Sequence, residues 1–173
     1  MEKVDVLISG KEIEKKIEEL AVQIMEDYKD KPIMFICVLK GASVFMIELA
    51  KKIKNPIEYE FIRTSSYRNG TESTGAVRLI KDIEISIKGK DVIIIEDILD
   101  TGRTLMYLKD YFLRQEPNSL KICALLDKPE RRLVPIEVEY IGFSIPDKFV
   151  VGFGLDYAEK YRNLPYVGVV SGV

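Results

Sequence analysis

The stretch Val92 to Thr104, VIIIEDILDTGRT, constrains this chain more than any other. Four consecutive β-branched residues, Val92 to Ile95, suit a strand buried on both faces of a parallel sheet, since such a strand has no solvent side on which to alternate. Charge arrives at once. Glu96 and Asp97 stand at the carboxyl end of that strand, the side of an open α/β sheet on which ligands bind. Asp100, Thr101, Gly102, Arg103 and Thr104 follow, small and polar around one glycine, and then comes an apolar segment of helical period. A strand, a short polar turn and a helix amino terminus together offer unpaired backbone N–H groups and a positive dipole end, which suits phosphate. Three carboxylates, Glu96, Asp97 and Asp100, crowd that anion cradle, which makes sense if they face sugar hydroxyls or a divalent cation instead of the anion. That combination points to a phosphorylated sugar. A lone acid pair here would be ordinary solvated charge, with Asp100 as a helix cap.

At 173 residues the chain suits one domain with a real core. Apolar residues make up 47% and charged residues 31%, and 26 basic against 28 acidic residues leave a net charge of −2, so bulk electrostatic binding to nucleic acid is not expected. The opening MEKVDVLISGKEIEKK lacks a signal-peptide apolar run and no later stretch approaches a membrane span, so a cytoplasmic protein without membrane association is expected. There is no histidine and there are only two cysteines, Cys37 and Cys123, both inside apolar runs where a thiol behaves as a small hydrophobe. A disulfide between them has no support in the sequence. Imidazole catalysis, thiolate zinc clusters and a Ser-His-Asp triad are excluded, which leaves carboxylates, lysines, arginines and hydroxyls to carry the chemistry.

Along the chain, Ser9 precedes Ile13, Ile17, Leu20, Ala21 and Ile24, a spacing that predicts an amphipathic helix to about Tyr28. Ile33 to Leu39 reads as a buried strand, stopped by Lys40, Gly41, Ala42 and Ser43 before a second helix from about Val44 to Lys52. This repeats the geometry of the central stretch, with a lysine added; alone it would be a plain strand-to-helix turn. Ile57 to Arg63 is a further strand, and Thr64 to Gly75 lacks an apolar period and is expected to be a mobile loop, with Val77 to Ile80 returning as a hairpin strand. The helix after Thr104 is expected to end near Gln115, before Pro117, and Leu120 to Leu126 is the next buried strand, stopping at Asp127, Lys128 and Pro129.

The string from Val92 to Thr104 resembles the phosphoribosyl pyrophosphate (PRPP) signature of type I phosphoribosyltransferases, and the last third, with SIPDKFVVGFGLDYAEKYR, resembles the hypoxanthine-guanine members of that family. The resemblance implies an α/β fold with a mainly parallel central sheet flanked by helices, a core over about 1–137, a small hood over about 138–173 and a flexible loop carrying Ser66 and Tyr67. It implies transfer of phosphoribosyl from PRPP to hypoxanthine, and to guanine, giving IMP or GMP and pyrophosphate with magnesium as cofactor. Glu96, Asp97, Asp100, Thr101, Gly102, Arg103 and Thr104 would hold the phosphoribosyl group, and Lys40, Gly41 and Arg162 the pyrophosphate. Lys128, Lys148, Phe149, Val150 and Asp156 would hold the base; Asp100 would be the general base, with Lys128 on the 6-oxygen. Glu96, Asp97 and Asp156 would approach the metal, and a homodimer or homotetramer is implied. One departure from the family pattern is that Gly41 is followed by Ala42 and Ser43, where many members have another glycine. Two alternatives stay open: the same enzyme class acting on xanthine, adenine or orotate, and a nucleic-acid-binding regulator on the same fold, for which Arg131 and Arg132 are the only basic hint.

Overall fold

A six-stranded sheet in the order β4-β3-β2-β5-β6-β7 forms the body of the protein. The computed structural model describes residues 3–69 and 72–171, and side chains throughout these except at 66–69 and 72–75. The strands are β1 (Lys3–Ile8), β2 (Ile33–Val38), β3 (Ile57–Asn69), β4 (Glu72–Lys81), β5 (Asp91–Leu99), β6 (Ser119–Asp127), β7 (Tyr140–Ser144), β8 (Val150–Val151) and β9 (Val167–Ser171). The helices are α1 (Gly10–Tyr28), α2 (Ser43–Lys51) and α3 (Arg103–Leu113). β3, β2, β5, β6 and β7 run parallel, and only the edge strand β4 pairs antiparallel.

Two-residue alternation along the central strands splits the core into two layers. Phe35 and Cys37 of β2, with Ile93 and Ile95 of β5, pack under α1 and α2 through residues such as Ile13, Leu20, Phe45 and Leu49. Met34 and Ile36 of β2, with Val92 and Ile94 of β5, pack under Leu105, Leu108 and Phe112 of α3. Both faces of the sheet are therefore covered, as the unbroken run Val92 to Ile95 requires. The start of α1 is set by a capping box, in which Ser9 Oγ accepts from Glu12 N–H at 3.3 Å and Glu12 Oε2 accepts from Ser9 N–H at 2.8 Å. Cys37 and Cys123 are buried free thiols.

Two expectations are corrected. β5 does not stop at Ile95 but runs on through both acids to Leu99, because Glu96, Ile98 and Leu99 find ladder partners in Ala124, Leu126 and Asp127 of β6. The polar segment from Thr64 is not a loop over most of its length. It continues β3 and turns back as β4, pairing Thr64 with Leu79, Ser66 with Val77 and Asn69 with Glu72. Cross-strand backbone bonds organise such a hairpin with no apolar period in the sequence. β7 belongs to the large sheet, while the small sheet has the order β1-β9-β8 and draws its first strand from the amino terminus, with Val4 opposite Val170 and Asp5 opposite Val169.

Candidate active site

The carboxyl end of β5 leads through Asp100, Thr101 and Gly102 into α3, and a concavity of about 100 Å³ lined by residues 96–102, Thr104 and Leu105 opens there. Gly102 has φ 86°, in the left-handed region, and no side chain caps the helix. The first bond within the helix runs from Met106 N–H to Gly102 O at 2.9 Å, so the N–H groups of Thr104 and Leu105 have no intrahelical acceptor. Arg103 N–H donates to Thr101 Oγ1 at 3.3 Å, while Thr101 O accepts from Leu133 N–H at 3.0 Å and Val134 N–H at 3.3 Å. The turn is thus held from behind, with donors left toward the concavity.

Glu96 is 8% exposed and Asp97 is partly buried beside it. Burial pushes the Glu96 carboxyl well above the usual range, and the charge of Asp97 adds to this. Burial also raises Asp97, against the opposing hydrogen bonds from Glu96 and Ile98 and the charge of Arg162. Asp97 N–H donates to Glu96 Oε1 at 3.0 Å and Ile98 N–H to Asp97 Oδ1 at 2.7 Å. Two acids so placed suit hydroxyl donors or a divalent cation.

The loop after β2 presses directly on this pair. A Cβ on Gly41 would fall 1.7 Å from Asp97 Oδ2, and a Cβ on Gly154 would fall 2.0 Å from Gly41 O. Only glycine allows three segments to meet here. The adjoining Leu39–Lys40 peptide is cis. Lys40 Nζ lies 2.7 Å from Glu159 Oε2, and Arg162 spans this corner, its Nη1 donating to Gly154 O at 2.7 Å and its Nη2 lying 2.9 Å from Asp156 Oδ1 and 3.5 Å from Glu159 Oε1. Arg162 Nε is buried without a partner, a donor available to a ligand. Among the described residues no group of three or more acidic or cysteine side chains is placed to hold a metal ion. Asp156 spends Oδ1 on Arg162 and Oδ2 on Glu159 N–H, at 2.9 Å each. Glu96 and Asp97 remain, and one or two carboxylates plus substrate phosphates is how magnesium is usually held.

Beside the cradle, and sharing Ile98 and Asp100 with it, lies a second cavity of about 350 Å³ lined by Ile98, Asp100, Lys128, Arg131, Asp147, Phe149, Val150, Leu155 and Asp156. Asp100, Lys128, Phe149 with Val150, and Asp156 thus come together from four separate segments. Phe149, 52% exposed, meets Tyr157 edge to face at 5.6 Å and leaves its ring open for stacking. Lys128, only 9% exposed, has its ammonium 3.7 Å from Asp147 Oδ1. Lys148 lies next to Phe149, its N–H donating to Pro146 O at 2.7 Å, but it does not line this cavity. Ser66 falls in β3 by pairing and Tyr67 at its bulge, and their side chains lie outside the described residues. Ile98, Arg131, Asp147 and Leu155 were not expected in the site. Asp147 could have been read from its place in the Asp-Lys-Phe-Val-Val motif, whereas nothing local marks Arg131. Arg131 and Arg132 are not a free basic patch, since they bond Asp100, Asp127 and Asp147.

Residues 4–158 match the phosphoribosyl transferase domain family. Over 166 residues the chain is 53% identical to a hypoxanthine-guanine phosphoribosyltransferase of Streptococcus thermophilus, spanning 96% of this chain and 92% of that one. The crystal structure of a hypoxanthine-guanine phosphoribosyltransferase from Bacillus anthracis, with a HEPES molecule in its active site, matches with TM-score 0.93 at 49% identity over 99% of this chain and 100% of that one. That of a hypoxanthine phosphoribosyltransferase from Staphylococcus aureus matches with TM-score 0.92 at 48% identity over 96% and 91%.

Proposed function

The chain belongs to the phosphoribosyltransferase family, and from that premise we propose that it joins the phosphoribosyl group of PRPP to a nitrogen of hypoxanthine or guanine, releasing pyrophosphate and giving IMP or GMP. The observation that carries this is the adjacency of the two cavities. A sugar-phosphate cradle of about 100 Å³ adjoins a pocket of about 350 Å³, with Ile98 and Asp100 lining both.

The bond from ribose C1 to the pyrophosphate oxygen breaks, the bond from C1 to the purine nitrogen forms, and the proton on that nitrogen passes to the Asp100 carboxylate. The free N–H groups at the start of α3 bind the 5′-phosphate, and Glu96 and Asp97 accept from the ribose hydroxyls, so the sugar is fixed in line between base and leaving group. Lys40 and Arg162 neutralise the departing pyrophosphate. Magnesium, held by Glu96 and Asp97 together with substrate oxygens, would supply further neutralisation there. Phe149 stacks on the purine, and the Lys128 ammonium donates to its 6-oxygen, which favours hypoxanthine and guanine over adenine. Initial rates with PRPP, magnesium and each of hypoxanthine, guanine, xanthine, adenine and orotate test the reading. Turnover of hypoxanthine and guanine well above the rest is the expected result, and preference for any other base, or no nucleotide at all, refutes it.

A further inference from the structure

Three charged side chains line the base pocket without a part in the mechanism above, Arg131, Asp147 and Asp156, and the last of these is paired with Arg162. Arg131 Nε donates to Asp100 Oδ1 at 3.1 Å, and its Nη1 lies 3.7 Å from Asp147 Oδ2. Asp147 Oδ1 is in turn 3.7 Å from Lys128 Nζ. The four groups alternate in sign across the pocket, from the lysine that meets the base oxygen to the carboxylate that takes the base proton. The next residue grips the same aspartate elsewhere: Arg132 Nε donates to the Asp100 main-chain oxygen at 3.2 Å, and its guanidinium also pairs with Asp127.

We propose that Arg131 is a positioning residue for the proton transfer, fixing the Asp100 carboxylate so that one oxygen faces the incoming purine nitrogen. The proposal rests on the phosphoribosyl-transfer reading. Asp100 sits in a turn with its side chain 44% exposed, so packing alone does not select one rotamer. The Arg132 bond holds the backbone and leaves the carboxylate free to rotate, yet proton transfer needs heavy atoms about 2.6–3.2 Å apart. A second hold on Oδ1 removes that freedom and leaves Oδ2 for the base. Arg131 can supply it because its own backbone is anchored, with Arg131 N–H donating to Lys128 O at 3.1 Å and Lys128 N–H to Leu99 O at 2.9 Å. The residue type also matters. A planar guanidinium can bond one carboxylate through Nε while Nη1 faces a second, which an ammonium cannot reproduce in the same plane.

The test measures kcat and KM for Arg131→Gln and Arg131→Lys with radiolabelled hypoxanthine, together with thermal melting, and repeats Arg131→Gln in an Asp100→Asn background. Arg131→Gln is expected to lower kcat roughly ten- to a hundredfold, the scale of a misplaced catalytic group, with the KM for PRPP and the melting temperature unchanged. Arg131→Lys should recover part of the loss. On Asp100→Asn the same change should cost little more, because the group it positions is gone. A normal kcat in Arg131→Gln, a loss confined to KM, or a full additional loss on Asp100→Asn overturns the proposal. If the unaltered protein makes no nucleotide, the phosphoribosyl-transfer reading itself falls; if it does and Arg131→Gln is indifferent, only the role of Arg131 falls.

Discussion

Gly41→Ala tests the close approach on which the site depends. The new Cβ would lie 1.7 Å from Asp97 Oδ2 and 2.7 Å from Asp97 Cγ, far inside van der Waals contact. Asp97 can rotate away, surrendering the 2.7 Å bond from Ile98 N–H, or the loop backbone can shift, but Gly154 already packs against Gly41 O with no room for a Cβ of its own. Either escape costs about 1–3 kcal/mol, the usual range for overpacking or for a lost hydrogen bond to a charged group. For a chain of this length that lowers the melting temperature by roughly 3–10 °C. Catalysis should suffer more, with kcat/KM for PRPP down roughly a hundredfold, because a displaced Asp97 no longer faces the sugar. Calorimetry and steady-state PRPP titration measure the two effects. Adding Gly41→Ala to Asp97→Ala should be nearly free in stability, since the clashing carboxylate is gone. A Gly41→Ala protein that melts with the wild type and binds PRPP normally, or one whose destabilisation persists in full on Asp97→Ala, would refute the reasoning.

Lys128→Gln should depress turnover of hypoxanthine and guanine while leaving the KM for PRPP in place; an unchanged kcat/KM for hypoxanthine removes Lys128 from base recognition. Glu159→Gln should tighten pyrophosphate and PRPP binding a few-fold at most, because the Glu159 carboxylate occupies Lys40 at 2.7 Å and competes with the incoming anion, and the exposed pair is screened by solvent. Product-inhibition constants for pyrophosphate measure it, and weaker inhibition contradicts it. Asp27 accepts from Tyr140 Oη and Lys121 Nζ, which hold its carboxyl below the ordinary 3.8, the tyrosine first. A lowered folded pKa contributes stability that is complete above the unfolded value and lost as pH falls through the folded one. Asp27→Asn should therefore destabilise by at most about 1 kcal/mol at neutral pH, given its exposure, with the difference fading below about pH 4. Urea melts at both pH values decide it, and a gap that persists in acid rules out the linkage.

Helices α1 to α3 and the buried strands β2, β5 and β6 were legible because each carries its signal locally: apolar spacing over Ile13 to Ile24, unbroken apolar runs at Ile33 and Val92. β1 was not, since only Ile8 of its residues is buried and its pairing partner in β9 lies at the far end of the chain. The extension of β3 was hidden for the same reason, its strand character coming from pairing with β4 instead of from a pattern of its own.

The sequence by itself determined the chemistry available, carboxylates and cations without imidazole, and pointed to a candidate anion cradle at Glu96 to Thr104 through strand, turn and helix signals that are all short-range. Only the tertiary structure decided what meets that cradle: Gly41 against Asp97, Arg131 and Arg132 around Asp100, Glu159 on Lys40. Propensity and periodicity act over a few residues, whereas these contacts join segments about thirty to more than a hundred residues apart. Their positions follow from how the sheet is ordered and packed, which no local pattern encodes.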